Sequence, residues 1–175
     1  MRLADKVAVV TGSSRGIGRA IAERFAELGA AVVVNYRTQA AEAEAIVDRI
    51  QAAGGRATAI GADVKQFEEA DRLIAGALEA FGRVDILVNN AGGNRDTLVL
   101  RMSEADWDEV LATNLKGAFA CSKAALRPMI RQRSGRIVNI SSVVGLLGNQ
   151  GQANYAAAKS GLFGLTKTLA REVAS

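Results

Sequence analysis

A tyrosine and a lysine stand four residues apart in the stretch QGQANYAAAKSG, residues 150–161, within a run of alanines. Residues at this spacing lie on the same face of a helix, one turn from each other. Tyr155 and Lys159 can therefore form a pair in which the ammonium stabilises the phenolate, an arrangement suited to proton transfer. An isolated Tyr-x-x-x-Lys is more commonly part of an ordinary surface helix, so the pair needs support from the rest of the chain.

The composition limits the other chemistry that is available. The 175 residues include no histidine and a single cysteine, which excludes Ser-His-Asp triads, Cys-His pairs and imidazole zinc sites. Proton transfer must then use carboxylates, lysines or tyrosines. The net charge of +4 comes from basic residues interleaved with acids, which argues against nucleic-acid binding. Apolar runs too short to cross a bilayer, and no signal-peptide pattern after Met1, predict a cytoplasmic protein without membrane attachment.

A glycine-rich loop, TGSSRGIG, follows the first apolar run of the chain. Gly12, Gly16 and Gly18 lack a Cβ, so a pyrophosphate can approach the backbone closely. The helix that opens at Ile17 supplies free amides and the positive end of its dipole. The spacing is G-x-x-x-G-x-G instead of G-x-G-x-x-G, but its place between a first strand and a first helix favours a dinucleotide site.

The end of the second apolar run, VVVNYRTQ, indicates which dinucleotide binds. A carboxylate at this point would bind the free ribose hydroxyl of NAD, and none is present. Arg37, together with Arg15 of the glycine loop, can instead bind a 2′-phosphate. Either arginine alone would be an ordinary solvated charge, but together they favour NADP as the cofactor.

Short apolar runs alternate along the chain with longer, alanine-rich amphipathic runs. Apolar runs bounded by glycine or asparagine are typical of strands buried on both faces. Their alternation with helices predicts an α/β fold with a doubly wound parallel sheet, the Rossmann fold. We expect five strands in the order 3-2-1-4-5 and a single NADP-binding domain, residues 1–175. The strand-like runs are VAVV, AAVVVN, RATAIGA, DILVNN and GRIVNIS.

Two mononucleotide-binding halves would contain six strands, whereas the sequence stops within the helix that follows the fifth. We therefore expect the domain to be incomplete at the C-terminus, with later strands absent and weak or absent activity if these residues are all that exists. The single proline, Pro128, predicts a kink or break late in the long helical run 103–133. Glycines that would end helices are Gly29, Gly54, Gly82 and Gly135.

Five motifs occur in the order and spacing of the short-chain dehydrogenase/reductases, and the chain resembles that family over essentially its whole length. They are TGSSRGIG, NNAG at residues 89–92, Asn114 in TNLKG, Ser142 in NISSVVG, and YAAAK. Within the family, the stretch GRIVNISSVVGLLGNQGQANYAAAKSGL is most similar to bacterial 3-oxoacyl-[acyl-carrier-protein] reductases. Acetoacetyl-CoA reductases share much of this pattern, so the carrier of the acyl group stays open.

The resemblance implies that NADPH reduces a 3-oxoacyl thioester to the 3-hydroxyacyl thioester in fatty acid biosynthesis. Tyr155 would be the general acid, and Lys159 would tune it and bind the nicotinamide ribose. Ser142 would hydrogen-bond the substrate carbonyl, with Ser141 as the rival for this role. Asn114 would support a water relay to the lysine, unless it only satisfies a backbone group within a helix.

The resemblance also assigns residues to the cofactor. Asp63 and Val64, after the third strand, would contact the adenine, although Asp63 can equally be a helix N-cap. The residues implied to bind NADP are Gly12, Ser13, Ser14, Arg15, Gly16, Ile17, Gly18, Arg37, Asp63, Val64, Asn90, Ala91, Gly92, Tyr155 and Lys159.

Two surfaces are expected to bind other proteins. In the reductases a basic surface receives the acidic acyl carrier protein; here it would be the Arg127 to Arg136 region, unless these arginines are merely solvated. The long helices around 105–133 and 153–173 are rich in small and apolar residues, and in the family they pair across subunits. We therefore expect a homo-oligomer, a tetramer or a dimer. The alternative functions are reduction of another carbonyl, or a truncated nucleotide-binding domain with little or no activity.

Overall fold

The computed structural model describes residues 3–174, which form a parallel five-stranded sheet with helices on both faces. The strand order is β3-β2-β1-β4-β5, which confirms the predicted order. Each pair of neighbouring strands is parallel. The strands are β1 (Val7–Val10), β2 (Ala31–Tyr36), β3 (Arg56–Gly61), β4 (Ile86–Asn89) and β5 (Arg136–Asn139). The chain reverses its winding direction between β1 and β4, where such sheets bind ligands.

The helices connect the strands and cover both faces of the sheet. In residues 3–174 they are α1 (Gly16–Glu27), α2 (Ala40–Ala52), α3 (Phe67–Phe81), α4 (Glu104–Leu111), α5 (Gly117–Gln132), α6 (Val144–Leu147) and α7 (Ala153–Glu172). A 3₁₀ turn spans Val99–Arg101, and a π-helical turn, Ala112–Lys116, joins α4 to α5. Within the same span, no helix has both the length and the hydropathy that crossing a membrane requires.

Successive strand residues enter two separate hydrophobic cores, one on each face of the sheet. Val9 and Leu87 pack with α3 and α5, whereas Val10 and Val88 pack with α1 and α2 on the opposite face. All four side chains are at most 1% exposed. Full burial of such a side chain stabilises the fold by about 1.5 to 3 kcal/mol. Because both faces are covered, these strands are continuously apolar, which explains the runs seen in the sequence.

The long helical run departs from its prediction at two points. Of the predicted kink or break at Pro128, the break is wrong, because α5 continues through this residue to Gln132. Cys121, Ala125 and Met129 are buried on either side of the proline, so packing against the sheet holds the helix together there. The irregular turn comes earlier, at Ala112–Lys116, which surrounds Asn114.

Three of the four predicted helix-ending glycines are confirmed, since Gly29, Gly54 and Gly82 have φ values of 96°, 81° and 77°. The prediction for Gly135 is wrong. Arg133 takes the left-handed conformation that ends α5, with a φ of 53°. Gly135 serves close packing instead, because a Cβ there would lie 2.5 Å from the side chain of Met129.

Candidate active site

A cleft of about 1040 Å³ lies at the carboxyl edge of the sheet, where the loops that follow all five strands converge. All the predicted site residues line it except Ser13 and Gly18. Ser13 is fully buried behind the loop and donates a 2.7 Å hydrogen bond to the carbonyl of Val10. Gly18 packs against Asn90, whose Nδ2 would lie 2.4 Å from a Cβ at this position. These two residues shape the wall of the cleft without facing it.

The glycine loop fits a phosphate-bearing ligand. Gly12 and Gly16 have φ values of 60° and 57°, a conformation that suits glycine. A Cβ on Gly16 would meet no atom within 4 Å, so the loop is open at this point. Arg15, at the N-cap position of α1, makes no side-chain capping hydrogen bond. The first amides of the helix are therefore available to an anion, as the sequence analysis expected.

Two polar residues that sequence reasoning missed hold this loop in place. Thr11 Oγ1 accepts hydrogen bonds from the amides of Asn90 and Ala91, both at 3.0 Å. Asn90 Nδ2 in turn donates to the carbonyls of Thr11 and Gly12, at 2.9 and 3.0 Å. Buried Asn35 accepts the amide of Gly12 at 3.0 Å. Thr11 and Asn35 end otherwise apolar strand runs, which is the signal that could have identified them.

The end of the cleft near β2 and β3 carries both arginines predicted to bind a 2′-phosphate. Arg15 and Arg37 are exposed and line the cleft. Asp63 lines the same end, but the N-cap alternative for it is wrong, because Gln66 holds the N-cap position of α3. Asp63 Oδ1 instead accepts the amide of Lys65 at 3.1 Å, which makes a tight turn before the helix.

Lys159 and Tyr155 lie together at the other end of the cleft, one turn apart on α7. The Lys159 Nζ atom is 5.6 Å from the centroid of the Tyr155 ring and donates a 2.8 Å hydrogen bond to the carbonyl of Ile140. An ammonium has three donors, and within residues 3–174 the other two have no hydrogen-bond partner. Burial lowers the pKa of Lys159 below its ordinary value. The side chain of Tyr155 is partly exposed to the cleft, where a substrate can reach it.

Asn114 lies in the π-helical turn and is 1% exposed. Its Nδ2 donates to the carbonyls of Gly93 and Val110, at 2.7 and 2.9 Å. Asn114 therefore does satisfy backbone groups, which was one of its two predicted roles. Its Oδ1, however, is buried and has no partner within residues 3–174. A Cβ on Gly92 would lie 2.5 Å from this oxygen and 3.5 Å from Lys159 Nζ. An unpaired acceptor beside an ammonium suits a bridging water.

The two serines after β5 have different hydrogen bonds. Ser141 Oγ donates to the carbonyl of Lys159 at 2.8 Å, which commits its proton to the backbone. Ser142 Oγ accepts the amide of Val144 at 3.2 Å, so its own proton is still available. Both residues line the cleft. The geometry therefore favours Ser142 over its rival as a donor to a carbonyl oxygen.

Asn154 is a further residue that sequence reasoning missed. It is completely buried, and its Nδ2 donates to the carbonyls of Arg95 and Asp106, at 3.1 and 3.2 Å. Its Oδ1 accepts the amide of Tyr155 at 2.7 Å. Asn154 thus ties the loop after β4 and the first turn of α4 to the turn that carries the tyrosine. No sequence signal separates it from an ordinary helix-start asparagine. In residues 3–174 there is also no cluster of side chains that could hold a metal ion.

The fold and the cleft define a Rossmann-type oxidoreductase. The family model described as short chain dehydrogenase matches residues 6–175, and the chain belongs to that family, whose members use a nicotinamide cofactor. This confirms the predicted family.

Similar proteins carry more specific names. A 3-oxoacyl-[acyl-carrier-protein] reductase from Synechocystis sp. is 53% identical over 173 residues, 99% of this chain and 70% of that protein. One from Staphylococcus aureus is 54% identical over 170 residues, 97% of this chain and 69% of that protein. The crystal structure of a short chain dehydrogenase from Mycobacterium avium matches with a TM-score of 0.94 at 41% identity, over 99% of this chain and 65% of the other.

Proposed function

We propose that the chain reduces the 3-oxo group of an acyl thioester with NADPH, in fatty acid biosynthesis. The observation that carries the proposal is the buried ammonium of Lys159 beside the phenol of Tyr155, in the cleft that also holds the open glycine loop. The relatives named 3-oxoacyl-[acyl-carrier-protein] reductase, more than half identical over nearly the whole chain, support the substrate class.

NADP is proposed as the cofactor, with residues 1–175 as a single domain that binds it. Support comes from the free amides at the start of α1, from Arg15 and Arg37, and from the absence of a carboxylate at the end of β2 in the run NYRT. Ser14, Asn90, Ala91 and the other predicted cofactor residues on the cleft would surround it, with Asp63 and Val64 at the adenine. Once bound, the reduced nicotinamide supplies a hydride.

The protein supplies the proton and stabilises the charge on the carbonyl oxygen. As the carbonyl carbon accepts hydride, its oxygen becomes an alkoxide, and Tyr155 donates a proton to it. The Lys159 ammonium stabilises the phenolate that remains, because opposite charges attract strongly in a partly desolvated site. Ser142 donates a hydrogen bond to the same oxygen, which stabilises the alkoxide more than the carbonyl.

The tyrosine must regain its proton before the next turnover. We propose that Asn114 Oδ1 and Lys159 bind a water between them, because the oxygen is buried without a partner and both groups flank Gly92. In the part of the chain that the structure describes, two of the three lysine donors have no partner, and they would bond this water and the ribose hydroxyls of the cofactor. Asn114 would thus link the lysine to a proton source.

The partners expected from the sequence stay proposals. Arg127, Arg131, Arg133 and Arg136 are all exposed, as docking of an acidic acyl carrier protein would require. The long helical region exposes large apolar side chains that pairing with another subunit of a homotetramer or dimer would bury, namely Trp107, Phe119 and Ile130. A cytoplasmic location is likewise still a prediction.

The test is to follow NADPH oxidation with acetoacetyl thioesters of coenzyme A and of acyl carrier protein, beside a panel of other carbonyl compounds. We expect the thioesters to give the highest kcat/KM. Faster turnover of a sugar, steroid or quinone would replace the proposed substrate class. Nucleotide binding without turnover of any carbonyl would favour the non-catalytic alternative.

A further inference from the structure

An ion-pair cluster outside the predicted motifs lies at the end of the cleft where the adenosine would bind. Glu109 of α4 lines the cleft, and its Oε2 and Oε1 accept hydrogen bonds from Lys65 Nζ at 3.0 and 3.2 Å. Its Oε1 also lies 3.7 Å from Nη1 of Arg37. Lys65 Nζ is in addition 3.6 Å from Oδ2 of Asp63. Glu109 therefore shares its carboxylate between two cations that come from different loops.

The two contacts of Glu109 differ in strength. The Lys65 ammonium meets both carboxylate oxygens within hydrogen-bond distance and has a side chain only 18% exposed. The Arg37 contact is longer, and the Arg37 side chain is 54% exposed. Lys65 thus holds the carboxylate in position, while Arg37 is free to exchange its partner at little cost.

A 2′-phosphate would bind the same guanidinium that faces Glu109. A phosphate carries more negative charge than a carboxylate and makes bidentate hydrogen bonds to arginine, so it displaces Glu109 from Arg37. The displaced carboxylate stays beside the phosphate because Lys65 holds it there. Its charge then repels the phosphate, whereas an unphosphorylated ribose meets no such repulsion.

We infer that Glu109 is a specificity-determining residue whose carboxylate competes with the 2′-phosphate for Arg37 and so limits the preference of the cleft for 2′-phosphorylated nucleotides. The inference rests on the proposed binding of NADP. It predicts that removal of the charge at position 109 increases the preference for 2′-phosphorylated nucleotides. Glu109 has this effect although it lies on α4, which contains none of the cofactor motifs.

The test compares two adenosine ligands by calorimetric titration of the full chain at low salt. Glu109→Gln should bind adenosine 2′,5′-bisphosphate about two- to five-fold more tightly than the wild type, the range that an exposed ion pair supports. Binding of adenosine 5′-monophosphate should stay within about 1.5-fold, because it lacks the 2′-phosphate. The gain should shrink as salt screens the charges. Asp108→Asn is the matched control, because Asp108 is an exposed acid on the same helix and does not line the cleft.

A double-mutant cycle with Arg37→Met separates competition for the Arg37 guanidinium from a general change of charge in the cleft. Glu109→Gln should bring a smaller gain once Arg37 is replaced, because the competition for that guanidinium is then gone and only the repulsion between the carboxylate and the phosphate remains. An undiminished gain in the Arg37→Met background, an equal gain for both ligands, or no gain at all in the wild-type background would overturn the inference.

The same titrations distinguish this inference from the proposed cofactor. If wild-type protein binds both ligands equally, NADP preference is wrong, while a preference that appears in Glu109→Gln would still support the role of Glu109. If the wild type prefers the bisphosphate and Glu109→Gln is unchanged, only the role of Glu109 fails.

Discussion

The ammonium of Lys159 lies 5.6 Å from the ring centroid of Tyr155, and its hydrogen bond to the Ile140 carbonyl fixes it there. The lysine is only 4% exposed, although it carries a charge. Among the described residues the ammonium has one hydrogen-bond partner, and a buried charge with so few partners lowers the stability of the fold. Such a cost in stability is expected for a group that takes part in catalysis.

The first prediction concerns that cost. Burial lowers the pKa of Lys159, so the folded protein disfavours the charged form, and the penalty is complete at pH values below the folded pKa. Lys159→Met should therefore melt at the same or a higher temperature than wild type near neutral pH, while turnover falls by about 10²-fold or more. The difference in melting temperature should shrink as pH rises from the lowered folded pKa to the ordinary lysine pKa of about 10.4, because the folded wild-type lysine then loses its charge. Melting curves across this pH range check the prediction; a clearly less stable variant would contradict it.

Tyr155→Phe should remove the proton donor and leave the rest of the cleft intact. We expect kcat to fall by about 10² to 10⁴-fold, the usual contribution of a general acid. NADPH affinity should change by less than about two-fold, because a phenyl ring preserves the packing of the tyrosine. Steady-state kinetics and fluorescence titration with NADPH separate the two effects. A variant that kept most of its kcat would remove the tyrosine from the mechanism.

The neighbouring serines offer a matched comparison. Ser142→Ala should lower kcat by about 10² to 10³-fold, since it removes a donor to the alkoxide. Ser141→Ala should retain most of the activity and lose about 1 kcal/mol of unfolding free energy, because its hydroxyl bonds the backbone of Lys159. Kinetics and urea unfolding of both variants test this, and the reverse pattern would assign the catalytic role to Ser141.

Alanine substitutions at the adjacent glycines Gly92 and Gly93 test whether the volume beside Asn114 is needed for catalysis. Gly92→Ala would place a Cβ 2.5 Å from Asn114 Oδ1 and 3.5 Å from Lys159 Nζ, in the region where we propose the bridging water. We expect kcat to fall by about ten-fold or more, since small displacements in an active site are costly. A Cβ on Gly93 meets no atom within 4 Å, so Gly93→Ala should change kcat by less than about two-fold. Equal effects in the two variants would contradict the proposed water site.

The loss of protein stability in acid should depend on Asp85, which lies directly before β4 at the amino ends of the strands, away from the cleft. Burial by itself would raise the pKa of its carboxyl, but hydrogen bonds from Arg83 and the Val7 amide, with the charges of Arg83 and Lys6, hold it below its ordinary value. This stabilisation is complete above about pH 4 and is lost as pH falls through the folded pKa. Asp85→Asn should cost about 1 to 3 kcal/mol at neutral pH and progressively less in acid.

Urea unfolding at several pH values measures this dependence on Asp85. Asp71→Asn, at an exposed position of α3, is the control and should change stability by less than about 0.5 kcal/mol. An Asp85→Asn variant whose deficit stayed constant down to acid pH would contradict the assignment.

The strands could be predicted from local sequence, whereas the course and the end of α5 depend on tertiary packing. Val9 and Leu87 lie in strands that are apolar on both faces, so the local sequence was sufficient to identify those strands. The break expected at Pro128 did not occur, because tertiary packing of α5 outweighed the local preference of proline. Arg133 ends that helix in place of Gly135, which is needed for contact with Met129. A local pattern contains no information about that contact.

The sequence by itself determined the alternation of strands and helices, the glycine loop, and the pairing of Tyr155 with Lys159 on one helix face. These features depend on residues within a turn or two of each other, and their signals are therefore visible in short stretches. Only the tertiary structure decided which side chains support them. Thr11 bonds a backbone amide 79 residues away, and Glu109 reaches Lys65 across 44 residues. Such contacts arise because parallel strands bring distant loops to one edge of the sheet, and no local pattern specifies which residues meet there.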